Sequence, residues 1–338
     1  MKKFTKILSV ALSLVLLLNL FSISANAEEK SDYVYLGGQP FGVKFYNNGV
    51  IIIQLEEYYD GKNYICPAKE GGLKVNDIIK EINGKVITTN EDLQSHIINS
   101  NGEELIFTVE RSGKEVEIMV TPEKNTAGFY LLGAWVRDSC AGIGTVTYYD
   151  KNNNYFAALG HGICDNDTLA LLPLGFGEVV HANISSVTKG VSGKAGSLNG
   201  YFTDSTIGNL TKNTELGIYG TIIDNNCLET QKIEIADWSD VKTGKAQVYT
   251  TIKDDQVGCY DIEITKICNS SKNSNENFVI KVTDDELLEN CGGIVQGMSG
   301  SPIVQNGKLV GAATHVFLNK PCEGYGVMAQ YMVTKFDE

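Results

Sequence analysis

The chain has 338 residues, with 28 basic and 41 acidic side chains and a formal net charge of −13. With 43% hydrophobic and 20% charged residues it is too apolar for a disordered chain, and its length is typical of two domains. The acidic balance argues against non-specific nucleic-acid binding, which needs clustered Lys and Arg.

The first 27 residues have the pattern of an export signal. Three lysines precede a largely apolar stretch from Ile7 to Ile23, and Ala25-Asn26-Ala27 is a small-x-small motif typical of a signal-peptidase site. We therefore predict export across the cytoplasmic membrane, with residues 1–27 serving as a signal peptide or a membrane anchor. The rest of the chain is strongly acidic and has little attraction for anionic lipid, so membrane contact is predicted only through this segment.

Residues 33–123 are predicted to form a small α/β domain. Gly42–Phe45 and Val50–Leu55 are strand-like, and Asn48-Gly49 between them is typical of a hairpin turn. Thr89 is the predicted N-cap of a short helix that continues through Leu93.

The string PAKEGGLKVNDIIKEINGKVI, residues 67–87, resembles a PDZ domain of the HtrA-like bacterial arrangement, although Asn76 stands where Gly is usual. PDZ domains bind extended peptides by adding a strand to a sheet edge, so the resemblance implies a peptide ligand. It makes Gly42–Phe45 the receiving strand. It also places the carboxylate-binding loop at Gly38, Gln39, Pro40, Phe41 and Gly42.

The second domain is predicted over residues 130–338. This part is rich in Gly and β-branched residues, lacks a long helical periodicity and has turn signals at short intervals, a pattern typical of a β-barrel or sandwich. The fold class is therefore mainly β. None of the eight cysteines forms a CxxC pair, and no metal, nucleotide or flavin pattern is present, so no cofactor is predicted.

A glycine-rich segment around Ser299 is the strongest chemical signal. The glycines beside Ser299 allow the N–H groups of Gly297 and Ser299 to point at one spot, as an oxyanion hole requires. The segment leads into a hairpin at Asn306-Gly307, and its Gly-x-Ser-Gly-x-Pro pattern resembles the nucleophile segment of chymotrypsin-fold serine proteases. The alternative is a tight glycine turn without chemistry.

His161 is the matching candidate base. It follows an apolar strand, has a glycine on each side, and precedes Ser299 in the chain, which is the chymotrypsin order. Of the other histidines, His96 is predicted to be solvated, His181 has no companions in the sequence, and His315 is predicted to line a pocket.

Everything after the N-terminal segment resembles the SpoIVB peptidases, serine peptidases of spore-forming bacteria. The motifs that carry the resemblance are LGHGI, TKNTELGIYG and GMSGSPIVQNGKLVGAATHVF. The family implies Ser299 as nucleophile, His161 as general base and Asp284 as the acid, on a chymotrypsin-like double barrel. It also implies self-cleavage and cleavage of a membrane-protein partner between the forespore and mother-cell membranes. That cleavage activates a late mother-cell sigma factor through an intramembrane protease.

The identity of the acid stays open at this point. Asp284 lies only 15 residues before Ser299, whereas Asp204, 43 residues after His161, is closer to the chymotrypsin spacing. Asp284 also has an alternative role as the N-terminal cap of a helix that begins before Leu287.

Two further expectations follow from alignment with the chymotrypsin segment. Gly293 and Ile294 occupy the floor of the predicted specificity pocket, so we expect substrates with an uncharged P1 side chain. Met298 stands where zymogen-activated relatives have Asp, so control is expected from the PDZ domain or from self-cleavage. The competing function is a catalytically inactive PDZ adaptor that docks on an exported membrane protein.

Overall fold

The computed structural model describes residues 33–268 and 271–337. The predicted signal peptide or anchor, residues 1–27, lies outside the described residues. Among those that are described, no helix combines the length and the apolar character needed to cross a membrane. The seven cysteines whose side chains are described are free thiols.

Most of the described chain is β-structure. The strands are β1 (Tyr33–Leu36), β2 (Pro40–Leu55), β3 (Tyr58–Tyr59), β4 (Tyr64–Ile65), β5 (Ile78–Ile82), β6 (Lys85–Val86), β7 (Leu105–Arg111), β8 (Lys114–Val120), β9 (Glu123–Lys124), β10 (Tyr130–Leu131), β11 (Ala134–Asp150), β12 (Tyr155–Ala158), β13 (Leu174–Thr188), β14 (Ser197–Thr214), β15 (Gly217–Ile222), β16 (Lys232–Ile235), β17 (Gly244–Thr251), β18 (Val257–Ile267), β19 (Phe278–Val282), β20 (Pro302–Gln305), β21 (Lys308–Val316) and β22 (Glu323–Met328). The α-helices are α1 (Pro67–Gly71), α2 (Asn90–Asn99), α3 (Asp285–Cys291) and α4 (Ala329–Asp337), and Asn225–Leu228 and Trp238–Asp240 are 3₁₀-helices.

The first barrel is a closed ring of six antiparallel strands. Going round the ring, β2 pairs with β11, then β12, β15, β14 and β13 follow, and β13 pairs again with β2. Alternate side chains of these strands fill the interior, among them Phe41, Phe45 and Phe156, which are fully buried. This alternation is what the period of two in a strand produces when one face is buried.

The second barrel has the same construction. Its ring runs β17, β18, β19, β22, β21 and β20, and β20 pairs with β17 to close it. Strands β1 and β16 join the two barrels, because β1 pairs with β11 and β16, and β16 pairs in parallel with β21. The predicted mainly β fold with two barrels is confirmed.

The PDZ unit is inserted between β2 and β11, after the first two strands of the barrels. Its core contains Val50, Leu93 and Phe107, and it includes β5 to β8 with helices α1 and α2. The helix predicted from Thr89 is present as α2, and the Thr89 hydroxyl accepts a hydrogen bond from Asp92 N at 3.0 Å.

The predicted start of the PDZ unit at residue 33 is wrong, because residues 33–47 belong to the barrels. Asn48-Gly49 makes no hairpin. Strand β2 runs through it, with Gly49 bending the strand at a φ of +114°.

The predicted PDZ loop is therefore corrected as well. Pro40, Phe41 and Gly42 lie in β2 of the first barrel, where Gly42 pairs with β11 on one side and with β13 on the other, and Gly38 and Gln39 lie just before β2, hydrogen-bonded to Val146 of β11. The receiving strand predicted over Gly42–Phe45 has no free edge for a peptide. A Cβ atom on Gly42 would lie 2.3 Å from the Phe202 ring, so this position is filled by the barrel itself.

Candidate active site

The loop that carries Ser299 spans the junction of the two barrels. It begins at Gly292, which ends α3 in the left-handed conformation, and leads into β20. Three hydrogen bonds attach it to β11 of the first barrel. They run from Thr145 N to Ser299 O (2.9 Å), from Thr145 Oγ1 to Gly297 O (2.8 Å) and from Thr147 Oγ1 to Gly300 O (2.8 Å).

The backbone N–H groups predicted to form the oxyanion hole make no hydrogen bond within the described structure. Within the described residues, neither the Gly297 N–H nor the Ser299 N–H donates to an acceptor, whereas Met298 N donates to Val295 O and Gly300 N to Ala313 O. Gly297 has a φ of +99°, a conformation that favours glycine. Both residues are half-buried, so two backbone donors that the fold leaves unused beside a serine are accessible to an anion that forms there.

His161 follows β12 through a strained turn. Leu159 and Gly160 both have a positive φ, +68° and +69°, and a leucine in that region costs about 1–3 kcal/mol. The His161 ring atom Nδ1 lies 2.8 Å from Gly162 O. A carbonyl oxygen only accepts, so Nδ1 carries the proton and Nε2 keeps a free lone pair, as a general base needs.

The structure brings His161 and Ser299 into one site. A Cβ atom on Gly300 would lie 2.4 Å from Leu159 N, and one on Gly160 would lie 3.0 Å from Thr314 Cγ2. The Ser299 hydroxyl donates to Thr314 O at 2.9 Å, and the ring of the next residue, His315, lies 5.0 Å from the His161 ring. The serine and histidine are thus joined through Thr314 and His315 rather than by a direct hydrogen bond.

Neither candidate acid contacts His161. Asp284 is the N-cap of α3, where its carboxylate accepts from Leu287 N at 3.0 Å and from Asp261 N at 3.3 Å. Asp204 is exposed on β14. In the described part of the chain, the histidine paired with a carboxylate is His181, whose Nε2 lies 3.0 Å from Asp224 Oδ2. This pair is a tertiary contact between residues 43 positions apart, so no companion of His181 is visible in the sequence around it.

The environment of His161 favours its neutral form. Burial lowers its pKa to about 4, the nearby His315 also lowers it, and the hydrogen bond with Gly162 O acts in the opposite direction. Burial also lowers the pKa of His315.

Sequence reasoning missed Thr145 and Thr314, which hold the nucleophile loop. Both lie within strands, and only the tertiary pairing shows their role. Thr314 and His315 were nonetheless part of the motif that carried the family resemblance.

Comparison with known families identifies the second domain. The model of the SpoIVB peptidase S55 family matches residues 128–333, which is more than half of the chain. The chain belongs to this family. A PDZ domain model matches residues 66–111, so the prediction of a PDZ-containing serine peptidase is confirmed at the level of the family.

A curated relative is similar over a short segment only. It is the probable protease eep of Enterococcus faecalis, 45% identical over 58 residues, and the match covers 17% of this chain and 14% of the relative. The chain thus spans a small part of that relative's length.

Solved structures of proteases are similar at low identity. The active form of the Rv3671c protease from M. tuberculosis is 12% identical, with a TM-score of 0.33 and coverage of 59% of this chain and 74% of that one. Deg5 is 11% identical, with a TM-score of 0.34 and coverage of 57% and 81%. The HtrA-type protease AlgW with a tripeptide is 13% identical, with a TM-score of 0.34 and coverage of 58% and 55%. The family assignment therefore depends on the match to the SpoIVB peptidase S55 family model and not on these solved structures.

The low pKa of His161 predicts the acid limb of the pH profile. A general base must be neutral, so kcat/KM is expected to fall as the pH drops through the pKa of the free enzyme, about 4 for His161. The measurement is kcat/KM on a peptide substrate from pH 3.5 to 8, with circular dichroism at each pH to confirm folding. A limb near pH 6–7 would instead indicate that a carboxylate contacts Nδ1 in the working enzyme.

Variants of Asp284 separate its two candidate roles. Because Asn caps helices as well as Asp does, Asp284→Asn keeps the bond from Leu287 N and loses only the longer one from Asp261 N, so it is expected to cost less stability than Asp284→Ala, which should cost about 1 kcal/mol. The role as triad acid, which the resemblance implies, requires Asp284→Asn to lose up to about 10⁴ in kcat without unfolding. Thermal melts and kcat measured on the same samples distinguish these roles.

Proposed function

We propose that this protein is an exported serine endopeptidase that cleaves itself and an exported domain of a membrane-protein partner. Ser299 acts as the nucleophile, His161 as the general base, and the N–H groups of Gly297 and Ser299 bind the oxyanion. The observation that carries the proposal is the meeting of the Ser299 loop and His161 at the junction of two barrels, in a chain of the SpoIVB peptidase S55 family.

The family also supports a place in sporulation. In this proposal the protein acts between the forespore and mother-cell membranes, and cleavage of its partner leads to activation of a late mother-cell sigma factor. The export pattern in residues 1–27 is consistent with that location.

The peptide-binding site of the PDZ unit is proposed at a different place from the one expected from sequence. A groove of about 860 Å³ lies between helix α2 and residues 129–136, lined on the helix by Leu93, Ile97 and Ile98. Its volume is typical of ligand sites. Glu56 and Glu57 also line it, so their negative charge favours an internal apolar peptide segment over a C-terminal carboxylate.

Two observations favour the alternative of an inactive adaptor. The Ser299 hydroxyl donates to Thr314 O, and His161 Nδ1 bonds a carbonyl instead of a carboxylate. In that case the protein would dock on its membrane partner through the groove without cleaving it.

Incubation of the purified protein and its Ser299→Ala variant tests the proposal. The parent is expected to fragment with time and to cleave added Ser299→Ala protein, while the variant alone stays intact. Mass spectrometry of the fragments gives the cleavage sites. Equal behaviour of the two proteins would support the adaptor.

A further inference from the structure

The segment Ala134–Asp138 lies between the PDZ groove and the active site. It is the start of β11, and Ala134, Trp135 and Val136 pair with the PDZ half of β2, at Leu55, Gln54 and Ile52 respectively. These three residues also line the groove, and Trp135 is 58% exposed. Beyond Ser139 the same strand continues into the first barrel.

The next residue, Arg137, holds the loop that follows His161. Its guanidinium atom Nη1 lies 2.9 Å from Asp165 Oδ2, and its Nη2 lies 3.0 Å from Asp167 Oδ2. Asp165 is fully buried, and its other oxygen accepts from Asp167 N and Thr168 N, which closes the loop. A buried carboxylate requires such a partner, so the position of this loop depends on Arg137.

His161 lies at the start of that loop. His161 is four residues before Asp165 and directly follows the strained pair Leu159 and Gly160, so the ring is held by what fixes the loop beyond it. Asn213 gives additional support, because its amide bonds Ile163 O and its oxygen accepts from Ile163 N.

The same short segment also holds the opposite wall of the groove. Asp138 Oδ2 accepts a hydrogen bond from Asn90 N, the first residue of α2, at 2.8 Å. At the crossing from PDZ unit to barrel, the buried Asn47 amide donates to Arg137 O at 3.0 Å. A peptide that fills the groove would contact α2 and residues 134–136 together, and so brace Arg137 from both sides.

We propose that Arg137 is a positioning residue for His161 and that Ala134–Asp138 transmits occupancy of the PDZ groove to the active site. The proposal rests on the proposed peptidase function. A bound peptide steadies the segment, the segment holds the ion pair with Asp165, and the ion pair keeps His161 in its working position. Two sites are thereby linked through one element that both contact, as energetic coupling requires.

The first test removes the ion pair. Arg137→Met and the double variant Arg137→Met/Asp165→Asn are expected to lower kcat on casein about 10- to 100-fold, with KM changed less than about threefold. The double variant leaves no unpaired buried charge, so it separates positioning from folding. Arg137→Lys, which keeps one charge but not the fork, should recover part of the loss. Wild-type kcat in the double variant would overturn the proposal.

A matched control exists inside the PDZ unit. Arg111 also pairs with a buried aspartate, Asp77, here through two hydrogen bonds of 2.7 and 2.6 Å to one carboxylate, and it neither lines the groove nor contacts the His161 loop in the described structure. Arg111→Met is therefore expected to lower stability while kcat changes less than about twofold. An equal loss of kcat in the Arg111 and Arg137 variants would mean that the loss results from general destabilisation and not from the position of His161.

A double-mutant cycle tests transmission from the groove. Ile98 is exposed on the α2 wall, so the larger side chain in Ile98→Trp narrows the groove and keeps a peptide from binding there and bracing residues 134–136, without touching the core. On casein, Ile98→Trp should lower kcat at least about fivefold with Arg137 present and less than twofold in the double-variant background. Equal effects in both backgrounds would refute the transmission.

Hydrogen exchange tests whether Arg137 holds the loop that follows His161, and it does so without requiring catalytic activity. Amide exchange in residues 159–172 should rise in Arg137→Met/Asp165→Asn and stay unchanged in Arg111→Met. If the parent protein cleaves nothing, the proposed peptidase function fails while this comparison still decides whether Arg137 holds the loop. Unchanged exchange in both variants would reject Arg137 as a positioning residue.

Discussion

Replacing His161 with Gln is expected to lower kcat by about 10⁵- to 10⁶-fold, the loss typical of removing the base of a serine protease. Without the imidazole the Ser299 hydroxyl keeps its proton. Its present partner, Thr314 O, is a backbone carbonyl oxygen, which accepts the hydrogen bond but is not basic enough to remove the proton. Gln keeps a polar side chain at the position, so the fold should survive. The measurement is kcat on a peptide substrate together with the thermal midpoint.

A second histidine provides the control for this prediction. His181 lies on β13 and pairs with Asp224, outside the loops that carry Ser299 and His161. His181→Gln should therefore leave kcat within about twofold of the parent. If His161→Gln retained more than about a hundredth of the parent's kcat, His161 could not be the general base, and His315, whose ring lies 5.0 Å away, would be the next candidate.

Local signals in the sequence predicted the structure correctly where the structure depends only on neighbouring residues. Asn306-Gly307 forms the expected turn with φ values of +52° and +75°, the pattern that a two-residue hairpin needs. Asn48-Gly49 is the same dipeptide, yet there the strand continues. Its flanking residues pair with β11 and β13, about 100 residues further along the chain. Pairing with such distant partners overrides a turn signal, and no local pattern reveals it.

The candidate site also combines residues that local signals reveal with a partner that only tertiary contacts reveal. The glycines around His161 and Ser299 mark both residues, because tight turns and close approaches need glycine at those positions. The partner of the histidine is a tertiary contact, and spacing along the chain could not choose between Asp284 and Asp204. The N-cap role of Asp284, which depends only on the next three residues, was predictable and is what the structure contains.

The closest approach between the two catalytic loops predicts a large effect of Gly300→Ala. At a φ of +94°, a Cβ atom on Gly300 would lie 2.0 Å from Thr145 O and 2.4 Å from Leu159 N, and both are backbone atoms that cannot turn aside. Strain and overpacking together should cost about 3–5 kcal/mol and separate the Ser299 loop from the turn that carries His161. The free energy of unfolding in urea measures the first effect, and kcat measures the second.

Gly307→Ala is the control that separates the cost of the steric contact at Gly300 from the cost of backbone strain. Gly307 also has a positive φ, +75°, in the hairpin directly after β20, but a Cβ atom there would meet nothing within 4 Å. Its replacement should cost about 1 kcal/mol, from the left-handed conformation alone, and leave kcat unchanged. The difference between the two variants is therefore the energy of pressing the Ser299 loop against Leu159 and Thr145. Similar losses of stability in both would mean that the two loops can move apart at little cost, and that the site is assembled only when substrate binds.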